Sequence, residues 1–336
     1  MDLRNKILAA GIVLQIAVLA VVFWPESAGP PPEPLLQDVS ATDIAALTIT
    51  DERGRQIRLA KGGDGCVMPD ADDFPCNGEQ LTALIDRAVA VTTGNLVTKT
   101  EDSHRRLQVH SDEFLRLIEI EQSNGAKQRM YLGSSPRPRS AHVRADGDDT
   151  VYVTSELADF DVPSEAISWI ETRYFTVPER DVVSITLENE NGTFDLRKDA
   201  DDNWSMVGLE ADEEFRQVGL DALLNRATKL DVRRPLGKSK EDSYGLNAPA
   251  ALVTVQTSAE GAPIDTYTIE IGIKDPDDFQ GQLTKYSGSD YYVMAPAWTV
   301  AEFTGKERED FIIQPPTTIT IGETPTPTST TTPGGG

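Results

Sequence analysis

The chain has 336 residues, 39% of them hydrophobic and 26% charged, which leaves room for two ordinary domains with buried cores. Its net charge of −24 repels phosphate backbones, so nucleic acid is excluded as an expected partner, and peripheral attachment to anionic lipid heads is disfavoured. A solvated acidic surface is the simplest reading of that charge.

The first six residues include Arg4 and Lys6 and are read as a cytoplasmic N-terminus. Ile7 to Trp24 is apolar except for Gln15, and about 18 residues at roughly 1.5 Å each just cross a hydrocarbon core about 30 Å thick. The basic residues before it and Pro25-Glu26 after it predict a single transmembrane anchor with the main body outside the cytoplasm, periplasmic or extracellular. A cleaved signal peptide is the rival reading. Glu26-Ser27-Ala28 makes a poor cleavage site, and under either reading the chain beyond residue 30 is exported.

Residues 25–39 read as a Pro-rich linker, because Gly29 to Pro34 cannot form a helix or a central strand. At the far end, residues 313–336 are rich in Thr, Pro and Gly and read as a disordered tail.

Between these segments the sequence repeats itself. Leu81 to Ala88 matches Leu220 to Ala227, and Tyr131-Leu132-Gly133 matches Glu270-Ile271-Gly272, both at an offset of 139. Glu101-Asp102-Ser103 matches Glu241-Asp242-Ser243, and Val151-Tyr152-Val153 matches Tyr291-Tyr292-Val293, at 140. The strand-like Ala46 to Ile49 and Ser184 to Leu187 stand 138 apart. Matches in one order at nearly constant spacing predict a tandem duplication, with one unit over 40–176 and a second over 177–312.

Each unit reads as two alternating strands, an amphipathic helix, an acidic turn and an antiparallel meander. In the second, Val183 to Leu187 and Thr193 to Arg197 join at Asn191-Gly192. The helix there carries Val218, Leu220, Leu223, Leu224, Ala227 and Leu230 on one face. The meander comes next, at 252–255, 266–271, 283–286 and 291–294. Further helices are predicted at Ser164 to Tyr174 and Ala297 to Arg308. The fold class is therefore α+β, a duplicated, mostly antiparallel sheet packed with one or two helices.

Cys66 and Cys76 bracket a short loop in an exported region, which predicts a structural disulfide rather than a redox pair. The bridge falls where the second unit carries Trp204, as if a staple replaced a buried indole. His104, His110 and His142 lack metal-ligand spacing and read as surface or turn residues. Asp clusters at 70–73, 146–149, 199–202 and 275–278 read as hairpin turns, with a weak calcium loop the competing reading. No nucleophile setting or phosphate loop is legible, so no catalytic residue, metal or cofactor is expected. Tyr244-Gly245-Leu246 and Pro249 form a tight turn whose Tyr and Leu should plug the core.

Trp204, the helix ending near Leu230, Tyr244-Gly245-Leu246-x-x-Pro249, Ile269 to Gly272 and Tyr291-Tyr292-Val293 together resemble the bacterial family called domain of unknown function 4340. The resemblance covers about residues 40–312. The first unit departs from it, with His104-Arg105-Arg106-Leu107 in place of the Tyr-Gly-Leu turn. The resemblance implies a single-span protein associated with ABC-transporter components of the gliding-motility type, and it brings no catalytic residue. The expected function is a non-enzymatic accessory or binding protein of the cell envelope, held to the membrane by its N-terminal helix and partnered by an envelope protein. A carbohydrate- or peptide-binding module using Tyr291, Tyr292 and Trp298 is the alternative, and an envelope hydrolase the third.

Overall fold

The computed structural model describes residues 31–313 apart from 64, 259–263 and 277, together with helical positions at Ile12, Leu14, Gln15, Val18 and Leu19. The N-terminal six residues, most of the predicted anchor, the start of the linker and the tail beyond 313 lie outside the described residues. Among the described residues no helix is long and apolar enough to cross a membrane. The chain divides into two compact units, Met1–Glu171 and Thr172–Gly336.

In the first unit, β1 (Ile44–Asp51), β2 (Gln56–Ala60), β3 (Cys66–Met68) and β4 (Phe74–Cys76) precede helix α1 (Gly78–Ala90). Then come β5 (Leu96–Thr98), the short helix α2 (His104–Leu107) and a hairpin of β6 (Val109–His110) and β7 (Glu113–Phe114). β8 (Arg116–Gln122), β9 (Lys127–Leu132), β10 (Ala141–Ala145) and β11 (Val151–Thr154) complete it. The sheet order is β4-β3-β2-β1-β8-β9-β10-β11-β5, with every pair antiparallel.

The second unit contains β12 (Arg173–Thr176), β13 (Val182–Asn189), β14 (Gly192–Lys198), β15 (Trp204–Met206), β16 (Glu214–Phe215) and α3 (Gln217–Ala227). After these come β17 (Lys229–Asp231), β18 (Arg234–Gly237), β19 (Ala251–Thr257), β20 (Asp265–Lys274), β21 (Gly281–Tyr286), β22 (Tyr292–Pro296), α4 (Ala297–Thr304) and β23 (Ile312–Ile313). Its main sheet runs β15-β14-β13-β19-β20-β21-β22-β18, also antiparallel. That is the order of the first sheet without β4. The fold is α+β and dominated by sheet.

The likeness extends to single residues. The first strand of each sheet carries a bulge at the same place, between Ile44 and Ala46 and between Val182 and Ser184. Beside it, Asp43 O accepts from Ser123 N and Asp181 O from Ser258 N, both at 2.7 Å. In α1 the residues Leu81, Leu84, Ile85 and Ala88 are buried, and in α3 Leu220, Leu223 and Ala227 are. In the second unit these α3 residues pack in one core with Ile185, Leu187, Val253, Val255 and Ile269 of the sheet and Val300 and Phe303 of α4. Each buried leucine contributes roughly 1.5–3 kcal/mol.

Several expectations change. Val218 is exposed, because Gly219 turns its own backbone against Asp310, and Leu230 belongs to β17 rather than to the helix. Ser164 to Tyr174 is no helix: it holds one 3₁₀ turn, Ala166–Ser168, after which Arg173–Thr176 is strand. Buried Trp169 fixes that turn by donating from its indole to Pro163 O at 2.9 Å. The predicted C-terminal helix stops at Thr304, and a 3₁₀ turn at Arg308–Asp310 comes after it.

The unit boundaries also move. Leu35 and Leu36, expected in the linker, are buried, and Pro34 bridges Thr92 just after α1. Arg173 pairs with Asp231 just after α3 in the same way. Thr93 N donates to Glu33 O at 2.9 Å, and Val232 N to Thr172 O at 2.7 Å. Residues 33–36 and 172–176 are therefore the true leading segments, and the starts at 40 and 177 fall too late.

Candidate functional site

The face of each sheet opposite its helices is partly covered by the segment that crosses from the edge strand back to the centre. In the second unit a 3₁₀ turn at Asp242–Tyr244 ends on Gly245 at φ 70°, a left-handed conformation that glycine adopts without strain. Leu246 then packs with Leu283 and Met294, and Tyr244, Tyr292 and Leu236 border that cluster. The turn sits so close to β20 that a Cβ on Gly272 would lie 2.1 Å from Tyr244 O. Pro249 is exposed beyond the turn, where it precedes β19.

The first unit builds the same feature from different residues. A Cβ on Gly133 would lie 2.0 Å from Leu107 O, so Leu107 stands where Tyr244 does. Gln108, at φ 57°, takes the position of Gly245, and Val109 that of Leu246. The counterpart of Tyr-Gly-Leu is thus Leu107-Gln108-Val109, not His104 to Leu107 as the sequence suggests. Leu107 and Val109 pack with Tyr131 and Val151.

Cys66 and Cys76 form the disulfide, as cross-strand partners of β3 and β4. Ala60 pairs with Val67, and Arg197 with Ser205, which puts Cys66 on β3 and Trp204 on β15 at equivalent positions. Trp204 is half-buried against the second core, with Lys198 Nζ 5.6 Å from its ring centre. The indole is therefore less enclosed than the sequence implies.

Two of the three histidines are buried, against expectation. His104 Nε2 meets Asp149 O at 2.8 Å, and His142 Nδ1 meets Ser134 O at 2.6 Å, so each ring is satisfied by a carbonyl. Burial lowers the His142 pKa, Ser134 O opposes that, and Arg106 adds to the lowering. Ser134 Oγ stands 3.1 Å from His142 Nδ1 and resembles a nucleophile–base pair that the sequence does not reveal. That nitrogen, however, donates to the Ser134 carbonyl, while Oγ donates to Leu107 O at 3.2 Å. His142 Nδ1, carrying its own proton, therefore cannot take one from the hydroxyl, and the pair ties β10 to the crossing segment.

Among the described residues the least exposed aspartate, glutamate, lysine or arginine is Asp51, at the end of β1. Burial raises its pKa, but hydrogen bonds from Ser164, from the Arg55 and Arg53 backbones and from the Arg55 side chain outweigh that and leave it lowered. Ser164 Oγ donates at 2.8 Å and Arg55 Nε at 2.7 Å. The acidic clusters are turn formers: Asp199 Oδ1 accepts from Asp201 N at 2.8 Å and Asn203 N at 2.9 Å, and Asp148 Oδ1 from Thr150 N at 2.9 Å. Among the described residues no group of three or more His, Cys, Asp or Glu side chains is placed to hold a metal ion.

Of the aromatic residues expected to serve a binding face, Tyr291 and Tyr292 are half-buried. Lys238 Nζ lies 4.8 Å from the Tyr291 ring centre, and Tyr292 packs against Tyr244 at 5.5 Å. Trp298 is 64% exposed and carries Arg226 at 4.6 Å. Phe279, inconspicuous in the sequence among its aspartates, is 80% exposed.

No curated protein and no solved structure matches the chain. A family match runs from β3 through the Tyr-Gly-Leu turn to Pro249, a narrower span than 40–312. The model of the family described as domain of unknown function (DUF4340) matches residues 67–249, more than half of the chain, and the chain belongs to that family.

Proposed function

We propose that this is a non-enzymatic, membrane-anchored accessory or binding protein of the cell envelope, whose body arose by duplication of one α+β unit. The observation that carries the reading is the Cys66–Cys76 disulfide, because such bonds persist outside the reducing cytoplasm. Exposed apolar residues at the helical positions Ile12, Leu14, Val18 and Leu19 support the anchor. The shared strand order, the shared bulge and the paired leading segments support duplication. Association with ABC-transporter components is the partner class this proposal adopts. In intact spheroplasts, externally added protease should degrade the body, and mild-detergent copurification should recover transporter subunits. Full protection from protease would overturn the location, and a monomer without partners would overturn the accessory role.

A further inference from the structure

Equivalent hairpin loops of the two units carry opposite charge. The loop between β9 and β10 reads Ser134-Ser135-Pro136-Arg137-Pro138-Arg139-Ser140, whereas that between β20 and β21 contains Asp275, Asp277 and Asp278. In the second unit two of these carboxylates are answered internally, since Arg234 contacts Asp275 at 2.5 Å and Arg233 contacts Asp278 at 2.9 Å. In the first, Arg137 and Arg139 are exposed and make no ion pair with any described carboxylate, in a protein of charge −24. Arg106, equally exposed and in no ion pair with a described carboxylate, stands at the foot of the same loop, because the next residue, Leu107, accepts from both Ser134 N and Ser134 Oγ.

The loop is held in one shape. Arg137 O accepts from Ser140 Oγ at 2.7 Å and Ser135 Oγ at 2.5 Å, and Ser140 Oγ accepts from Arg137 N at 3.2 Å. Arg139 takes the left-handed conformation, φ 57°. The cost of ordering two arginine-bearing positions is thus met before any ligand arrives. Beside them Phe160 is 57% exposed, with Arg139 Cζ 5.7 Å from its ring centre.

We propose that Arg106, Arg137 and Arg139, with Phe160, bind the headgroup phosphate of a phospholipid. Guanidinium forks match phosphate oxygens, and an exposed ring next to them suits the boundary between headgroup and acyl chain. The overall acidity opposes long-range attraction to a membrane. Beyond about 8 Å, however, charges are largely screened at physiological salt, so the local cations govern contact. The proposal rests on the anchored reading for access to lipid, and vesicle flotation of the full chain tests that anchor separately.

The experiment places the full chain in nanodiscs of phosphatidylglycerol and phosphatidylcholine with a nitroxide on Pro136→Cys. Because both native cysteines are in the disulfide, this is the one free thiol. The label should broaden the headgroup ³¹P resonances. The broadening should vanish in Arg106→Glu/Arg137→Glu/Arg139→Glu and weaken in Phe160→Ser, with melting curves confirming that each variant is folded. Absence of broadening, or equal broadening in the charge-reversed variant, overturns the site. Displacement by millimolar inorganic phosphate overturns the lipid assignment in favour of free phosphate on the same arginines.

Discussion

The two units close the same sheet edge differently. In the first, β4 extends the sheet and the Cys66–Cys76 bridge fastens it to β3. In the second, the corresponding β16 pairs with β23, and the edge strand β15 is steadied by Trp204 against the core. The open faces differ as well. The first is an ionic lattice, with Arg129–Glu119 at 2.6 Å, Arg58–Glu121 at 2.8 Å and Lys127–Glu119 at 3.2 Å. The second places Thr186, Thr254 and Thr268 side by side across three strands. One backbone plan therefore tolerates covalent, aromatic, ionic or hydroxyl surfaces as long as its helix-facing residues stay apolar. What the plan does not tolerate is loss of close backbone approach.

The largest expected effect comes from that approach. Gly133→Ala and Gly272→Ala should each destabilise their own unit by about 3 kcal/mol or more, since a carbonyl stands where the methyl would go. Hydrogen exchange resolved by unit would show this, and a tolerated alanine would mean that the crossing segment is free to move. Next, Cys66→Ser/Cys76→Ser should cost the first unit roughly 2–4 kcal/mol and leave the second unchanged. Reductant should mimic it, and equal loss in both units would contradict independent edges.

A smaller effect separates Asp51 from its counterpart Asn189, which instead donates to Phe303 O and Lys306 O, both at 2.9 Å. Because the folded Asp51 pKa is lowered, its contribution is present above the unfolded value near 4 and is lost as pH falls through the folded one. Asp51→Asn should remove roughly 1–2 kcal/mol at neutral pH and flatten the acid unfolding of the first unit. An unchanged acid limb would show that other carboxylates control it. The smallest change is Glu119→Gln, under about 1 kcal/mol and vanishing in high salt, measurable by thermal melts at two ionic strengths.

Much of the fold is legible without the structure. The strands of the second meander fall where alternation puts them, and the acidic turn at 101–103 is the 3₁₀ turn observed. One alignment slips. The ladders pair Val143 with Tyr152 and Thr284 with Val293, so Val151 corresponds to Tyr292, not Tyr291. A run of alternating Tyr and Val reads equally well one residue along, and such a slip exchanges the two faces. The bridges at Pro34 and Arg173 escape a reading of the sequence because each joins residues some 58 positions apart.

The strand pattern, the paired cysteines, the repeated order of segments and the family are legible in the chain, because alternation, turn chemistry and internal matches are local properties. Which strands are edges, where each unit begins, why Gly133 and Gly272 must lack a side chain, and that Leu107, next to Arg106, is bonded to Ser134 at the foot of the arginine loop emerge only from the folded arrangement. Those depend on distances between segments remote in the chain, which packing sets and spacing does not record.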